Sequence, residues 1–199
     1  MAPITKQISE VVAASRMANV RYAIRDLAVL ADQVAKQGHK ILYLNIGDPC
    51  KYDFSTPPHM IEAVHKAMVD GYNGYADSLG IPPAVEAIRA QAERQGFKEI
   101  QSIFVGFGSG EVIDSVLTAL LNPGDNVLTP SPEYPLYGAI IAKLDAVMNA
   151  YDLDESNGWQ PDLADLERKI NPRTRAIILI NPNNPTGAVY SRKTLEAVA

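Results

Sequence analysis

Ala176-Ile177-Ile178-Leu179-Ile180 runs straight into Asn181-Pro182-Asn183-Asn184-Pro185-Thr186-Gly187, and this junction decides the fold class. An unbroken apolar run has no polar face, so it reads as a strand covered on both sides, as in a parallel sheet between helices. The loop after it carries three amide side chains stiffened by two prolines and a glycine. A plain turn needs fewer hydrogen-bonding groups, so the loop reads as one that presents them at the edge of a sheet.

The same alternation extends upstream. Ile103-Phe104-Val105, Asn126-Val127-Leu128 and the run from Val147 read as strands, while Ser109 to Leu121, Leu136 to Leu144 and Asp162 to Ile170 read as helices. Strand and helix in turn predict an α/β fold, a mainly parallel sheet flanked by helices. Closer to the N-terminus, Ile24, Leu27, Ala31 and Val34 keep helical spacing between Met17 and Gln37, with Gly38 where a left-handed cap is wanted. Ile41-Leu42-Tyr43-Leu44 reads as a short strand that stops at the turn Asn45-Ile46-Gly47-Asp48-Pro49. Thr56-Pro57 starts a helix whose buried stripe is Met60, Ile61, Val64 and Met68, and Pro82 to Gln95 forms another with Val85 and Ile88 inward. The predicted organisation is an N-terminal helical arm over 1–44 and an α/β body over 45–199. Ala199 falls inside a segment that Ser191 caps and Leu195 and Val198 make amphipathic, which reads as unfinished.

Composition narrows the function classes. With 199 residues, 47% hydrophobic and 21% charged, the chain can bury a core and is not of disordered type. A net charge of -5 gives no basic field for nucleic acid. The lone Cys50 excludes an internal disulfide, and His39, His59 and His65 form no zinc spacing. No apolar run reaches signal-peptide or membrane-span length, which predicts a soluble, cytoplasmic protein without a membrane partner.

Ligands of open α/β sheets bind beyond the carboxyl ends of the strands. Besides the Asn181 loop, two others leave predicted strands there. Gly106-Phe107-Gly108-Ser109-Gly110-Glu111 opens a helix with small residues and free amides, the makings of a phosphate cradle. Glu111 stands where a dinucleotide fingerprint needs its third glycine, and no Gly-Lys-Ser/Thr ending follows. A glycine turn serving only close packing explains the segment equally well. Pro130-Ser131-Pro132-Glu133-Tyr134-Pro135-Leu136-Tyr137 sets aromatic rings on a stiff turn where a flat ligand could stack. Taken alone, core packing explains Tyr134 better than stacking does.

In order, these segments resemble the class I and II aminotransferases of pyridoxal-phosphate fold type I, in particular the alanine-aminotransferase-like branch. The family pattern of N-x-G-x-P, a tyrosine-glycine loop, a glycine-rich helix start, P-x-Y-P-x-Y and N-N-P-T-G occurs here from Asn45 to Gly187. The resemblance implies pyridoxal 5'-phosphate as cofactor and an amino-group exchange between an L-amino acid and a 2-oxo acid. It implies that the amides of Gly108, Ser109 and Gly110 hold the phosphate, that Tyr134 stacks on the ring, and that Asn184 donates to the ring's phenolate oxygen. Gly47 would lie against the substrate carboxylate through its main chain. Tyr75, in preference to Tyr72, would reach the phosphate of a neighbouring subunit, which implies a homodimer.

The body 45–199 would then be the first part of the family's cofactor-binding large domain, and the arm would belong partly to its small domain. The family's lysine, its aspartate and its carboxylate-binding arginine follow N-N-P-T-G, so the lysine is expected downstream of Ala199 and the chain is expected to be inactive alone. Other activities on the same scaffold stay open, among them a β-lyase, an aminocyclopropane-carboxylate-type synthase and a diaminopimelate aminotransferase. So does a non-catalytic regulatory module, although Arg16, Arg21 and Arg25 lie in no helix-turn-helix.

Overall fold

The computed structural model describes residues 12–44 and 47–199, so residues 1–11 of the predicted arm, and Asn45 and Ile46 of the predicted turn, lie outside the described residues. Its contacts divide the chain into two units. One joins the residues up to Val29 with Ile113–Ala199, and the other is Leu30–Val112.

The first unit is organised by β1 (Asn126–Ser131), whose first five residues are all buried. β1 runs parallel to β2 (Val147–Asp154) on one side and to β4 (Thr174–Ile177) on the other, and β3 (Gln160–Pro161) adds an antiparallel edge to β2. Successive side chains of a strand point to opposite faces, so Val127 and Leu128 start two separate cores. Val127 packs with Leu117 of α4 (Gly108–Leu120), with Leu121 just past it, and with Ile140 and Ile141 of α5 (Leu136–Lys143). Leu128 packs with Tyr151, Leu153, Tyr190 and Leu166 of α6 (Leu163–Lys169), and α7 (Arg192–Val198) adds Leu195 and Val198. Each such side chain taken out of water contributes about 1.5–3 kcal/mol. The result is the predicted α/β architecture, a mostly parallel mixed sheet between helices.

Polar groups fix the same elements. Asp162 and Ser191 cap α6 and α7 by accepting from the Asp165 and Thr194 amides at 2.9 and 3.0 Å. Asp165, buried on α6, accepts from Lys169, from Arg168 and from the Asp152 amide of β2, which pins helix to strand. Lys169 first of all holds that carboxyl below the usual range. The Tyr151 hydroxyl donates to the Ile178 carbonyl at 2.8 Å, and burial pushes this phenol well up.

The second unit is built differently. It contains the second half of α1 (Ala23–Lys36), together with α2 (Pro58–Val69) and α3 (Pro82–Arg94), and no described residue between 30 and 112 is buried. Two expectations are corrected here. The α2 stripe of Met60, Ile61, Val64 and Met68 is more than half exposed at every position, and Ile88 of α3 is exposed as well. Helical periodicity marks a face made for covering, but nothing within this unit covers it. Ile41–Leu44 and Ile103–Val105 are not strands, because neither finds a neighbouring strand. Val105 makes one extended contact, its amide donating to Leu79 at 2.9 Å beside Gly80. At Gly80, φ is +111° and a Cβ would come within 2.7 Å of Val105, so glycine is required there. Smaller differences lie at the ends: α1 begins at Ala23 rather than Met17, and β4 ends its pairing at Ile177 rather than Ile180.

Candidate functional site

The candidate residues fall in both units and are described within each. In the first, the parallel β1 and β4 release their loops at the same edge of the sheet. The β1 loop carries Glu133 and Tyr134 into α5, and the β4 loop leads to Asn181–Gly187.

The three asparagines of the second loop divide into builders and a presenter. Asn181 accepts from the Tyr190 amide through its side chain at 2.9 Å. Asn183, 3% exposed, accepts from both the amide and the hydroxyl of Thr186 at 3.1 and 2.8 Å. Its backbone exchanges bonds with Gly187 and Ala188, each 2.8 Å. Gly187 closes the turn with φ +74°, where a side chain would be strained. Asn184 is exposed, and its side chain forms no hydrogen bond among the described residues. The loop is therefore held by its neighbours while Asn184 keeps its amide free. Two polar atoms near this scaffold, Asn183 Nδ2 and the Tyr190 hydroxyl, are buried without partners.

Tyr134 is half-buried and meets Tyr137 edge to face, with ring centres 6.3 Å apart at 87°. The Tyr22 hydroxyl, ahead of burial, pushes its phenol up. Sequence reasoning passed over two residues here. Tyr22 lay in a helical pattern with no motif to single it out. Glu133 stood inside the quoted loop, and an acid between prolines and aromatics was the available signal. Its carboxyl is driven up to about 7, chiefly by burial, against the pull of the Thr129 hydroxyl and the Gly138 amide.

In the second unit, Gly108 has φ +79° and its amide donates to the Gly106 carbonyl at 2.9 Å. The Glu111 carboxylate folds back onto the Phe107 amide. The Ser109 and Gly110 amides find no backbone partner among the described residues in the first turn of α4. Gly106 is held close, since a Cβ there would stand 2.9 Å from Glu111 and Val112. Gly47 and Tyr75 are both exposed, and a Cβ at Gly47 would meet nothing. No described helix is long and apolar enough to cross a membrane, and no cluster of metal-binding side chains occurs among the described residues.

Known proteins resemble the chain along nearly its whole length. The chain is 39% identical to the glutamate-pyruvate aminotransferase AlaA of Escherichia coli over 198 residues, covering 98% of this chain and 47% of that one. It is 42% identical to the alanine aminotransferase of Mycobacterium bovis over 185 residues, 91% of this chain and 43% of the other. The solved alanine aminotransferase from Pyrococcus furiosus superposes with a TM-score of 0.88 at 42% identity, over 94% of this chain and 48% of that structure. The chain thus spans about half the length of the curated relatives it matches. Residues 39–199 match the family model for aminotransferase class I and II, and the chain belongs to that family.

Proposed function

We propose that this chain supplies the cofactor grip of a pyridoxal-phosphate-dependent aminotransferase that exchanges an amino group between an alanine-like L-amino acid and a 2-oxo acid. The observation that carries the reading is the division of labour among the asparagines: Asn181 and Asn183 hold the loop, and Asn184 offers an unspent amide beside the exit of β1. Taken unit by unit, the residues that the resemblance names each suit one part of an anionic aromatic group. Ser109 and Gly110 offer amides at the positive end of α4, with the Ser109 hydroxyl as a further donor and Gly108 shaping the turn. Tyr134 offers a ring face, and the Asn184 amide would hold a phenolate oxygen in its anionic form. Gly47 would approach the substrate carboxylate with its main chain. Pyridoxal phosphate, when bound, supplies the electron sink for the exchange.

None of the lysines follows a serine in the family's Ser-Lys manner. The proton-moving lysine is therefore assigned to sequence beyond the Asn184 loop in a longer protein, and this chain binds without transaminating. Fully exposed Tyr75 fits a residue that completes the site of a second copy, which makes the working enzyme a homodimer.

Titrating the chain with pyridoxal phosphate tests the reading, with the cofactor's absorbance as readout. Saturable binding is expected, and Asn184→Ala should shift the pH at which the absorbance changes. Binding that no loop substitution alters would remove Asn184 from its role. Alanine and 2-oxoglutarate turnover by a protein that includes the lysine segment tests the substrate assignment.

A further inference from the structure

Among the described residues of the first unit, Glu133 is an acid whose surroundings favour a neutral carboxyl. Thr129 lies on the α5 side of β1, on the same face as Val127, and is fully buried. Its hydroxyl lies near enough to favour a charged Glu133 carboxyl but forms no hydrogen bond of good geometry, and neither does Glu133 Oε2, which is equally shut off from solvent. The other carboxylate oxygen, Oε1, rests against α5 at Gly138, where a Cβ would stand 3.2 Å from it and 3.1 Å from Met148. A side chain there would crowd the carboxyl and the Met148 sulfur. Pro135 caps α5 without a side-chain hydrogen bond, and in its first turn the Gly138 amide favours a charged Glu133. Charge is favoured by the helix start, and neutrality by burial.

We propose that Glu133 is a positioning residue for Tyr134, a carboxyl latch under the β1–α5 turn that sets the ring in one arrangement when it holds a proton and in another when it does not. The proposal rests on the reading of Tyr134 as the ring that stacks on the cofactor. The geometry is direct, since the two residues are consecutive and the turn is anchored on both sides, by buried β1 and by α5. Loss of the proton places an anion beside Thr129 and the Gly138 amide, and drawing Oε2 into hydrogen-bond geometry with Thr129 moves the turn that carries the ring. Burial puts the switch near neutrality, at about 7. The ionisable groups around it are Tyr137 on α5 and Tyr151 on β2, which would both stay neutral in that range, and Arg21, which lines the same groove of about 430 Å³.

The test is the pH titration of the Tyr134 ring resonance in the 199-residue chain labelled with 13C-tyrosine and assigned by Tyr134→Phe. An inflection near pH 7 is expected, absent in Glu133→Gln and restored with a displaced midpoint in Glu133→Asp. The histidines lie in the other unit, and replacing all three by Gln should leave the inflection in place. No inflection between pH 5.5 and 8.5, or one that survives Glu133→Gln, overturns the proposal. If Glu133→Gln does not fold, as far-UV circular dichroism would show, the Glu133 side-chain carboxyl resonance of the unmodified chain decides, and a midpoint below 5 overturns it. Pyridoxal phosphate binding, measured separately at pH 6 and 8, tells the two ideas apart. A chain that titrates at Tyr134 but never binds cofactor keeps the latch and loses the functional reading.

Discussion

The two units of this chain share an amino-acid vocabulary and differ in what they do with it. Between Ile113 and Ala199, apolar residues from strands and helices close two cores around β1, and Val127, Leu128, Ile141 and Tyr151 are lost to solvent altogether. Between Leu30 and Val112, regular helices with good apolar stripes bury no described residue. Secondary structure is thus not what separates them. Helices short of about 12–15 residues are marginal without tertiary packing, so the second unit depends on cover that it does not provide itself.

That contrast can be broken. Trp159, the chain's single tryptophan, packs against the core containing Leu128, and its fluorescence reports on the first unit. The largest effect should come from Leu128→Ala, at about 2–5 kcal/mol in denaturant unfolding followed by this signal. A loss below 1 kcal/mol would mean that the two-core description is wrong. Next is Asn183→Ala, which strips the acceptor from Thr186 and should cost about 1–3 kcal/mol. Asn184→Ala should change stability by no more than about 0.5 kcal/mol, as exposed positions do. Equal losses for the two would end the distinction between builder and presenter.

Acidity gives a finer test, because two carboxyls of the first unit shift in opposite senses. Asp165 is held below its ordinary 3.8, so the stability it adds is complete above that value and is lost as pH falls through its lowered folded one. Glu133 is raised from 4.5 to about 7, so the folded state holds its proton more tightly than the unfolded chain does. Stability should therefore fall as pH rises from about 4.5 to 7, and Glu133→Gln should flatten that limb while leaving the acid limb of Asp165 in place. Thermal melts at pH 3, 5 and 8 check both. The smallest effect, within about 0.5 kcal/mol, belongs to Ile61→Ser on the open α2 stripe. A large loss there would show that the stripe is covered in solution.

What was legible in the sequence follows the same line. Asn126-Val127-Leu128 could be read as a buried strand because its composition implies cover on both faces, and α5 and α6 supply that cover within the chain. Ile103-Phe104-Val105 is more apolar still and is no strand, since pairing is a property of two segments and composition describes one. The α2 stripe was legible as a helix by its period, whereas its burial depended on a surface outside that segment. Within the site, the Asn181 loop announced itself by its density of amides. Which amide stays unspent follows from the backbone bonds of Asn183, and those form only once the turn has closed. Glu133 escaped notice because its importance lies in Thr129 and Gly138, one on a strand and the other on a helix.

The closed turn around Asn183 also has a meaning for redesign. Since Asn181, Asn183, Thr186 and Gly187 carry the mechanical load between them, position 184 is a socket whose fitting can be exchanged without rebuilding its mount. Under the proposed role of Asn184, a set of side chains placed there would sample how a bound ring responds to a donor, an acceptor or neither, on one unchanging frame.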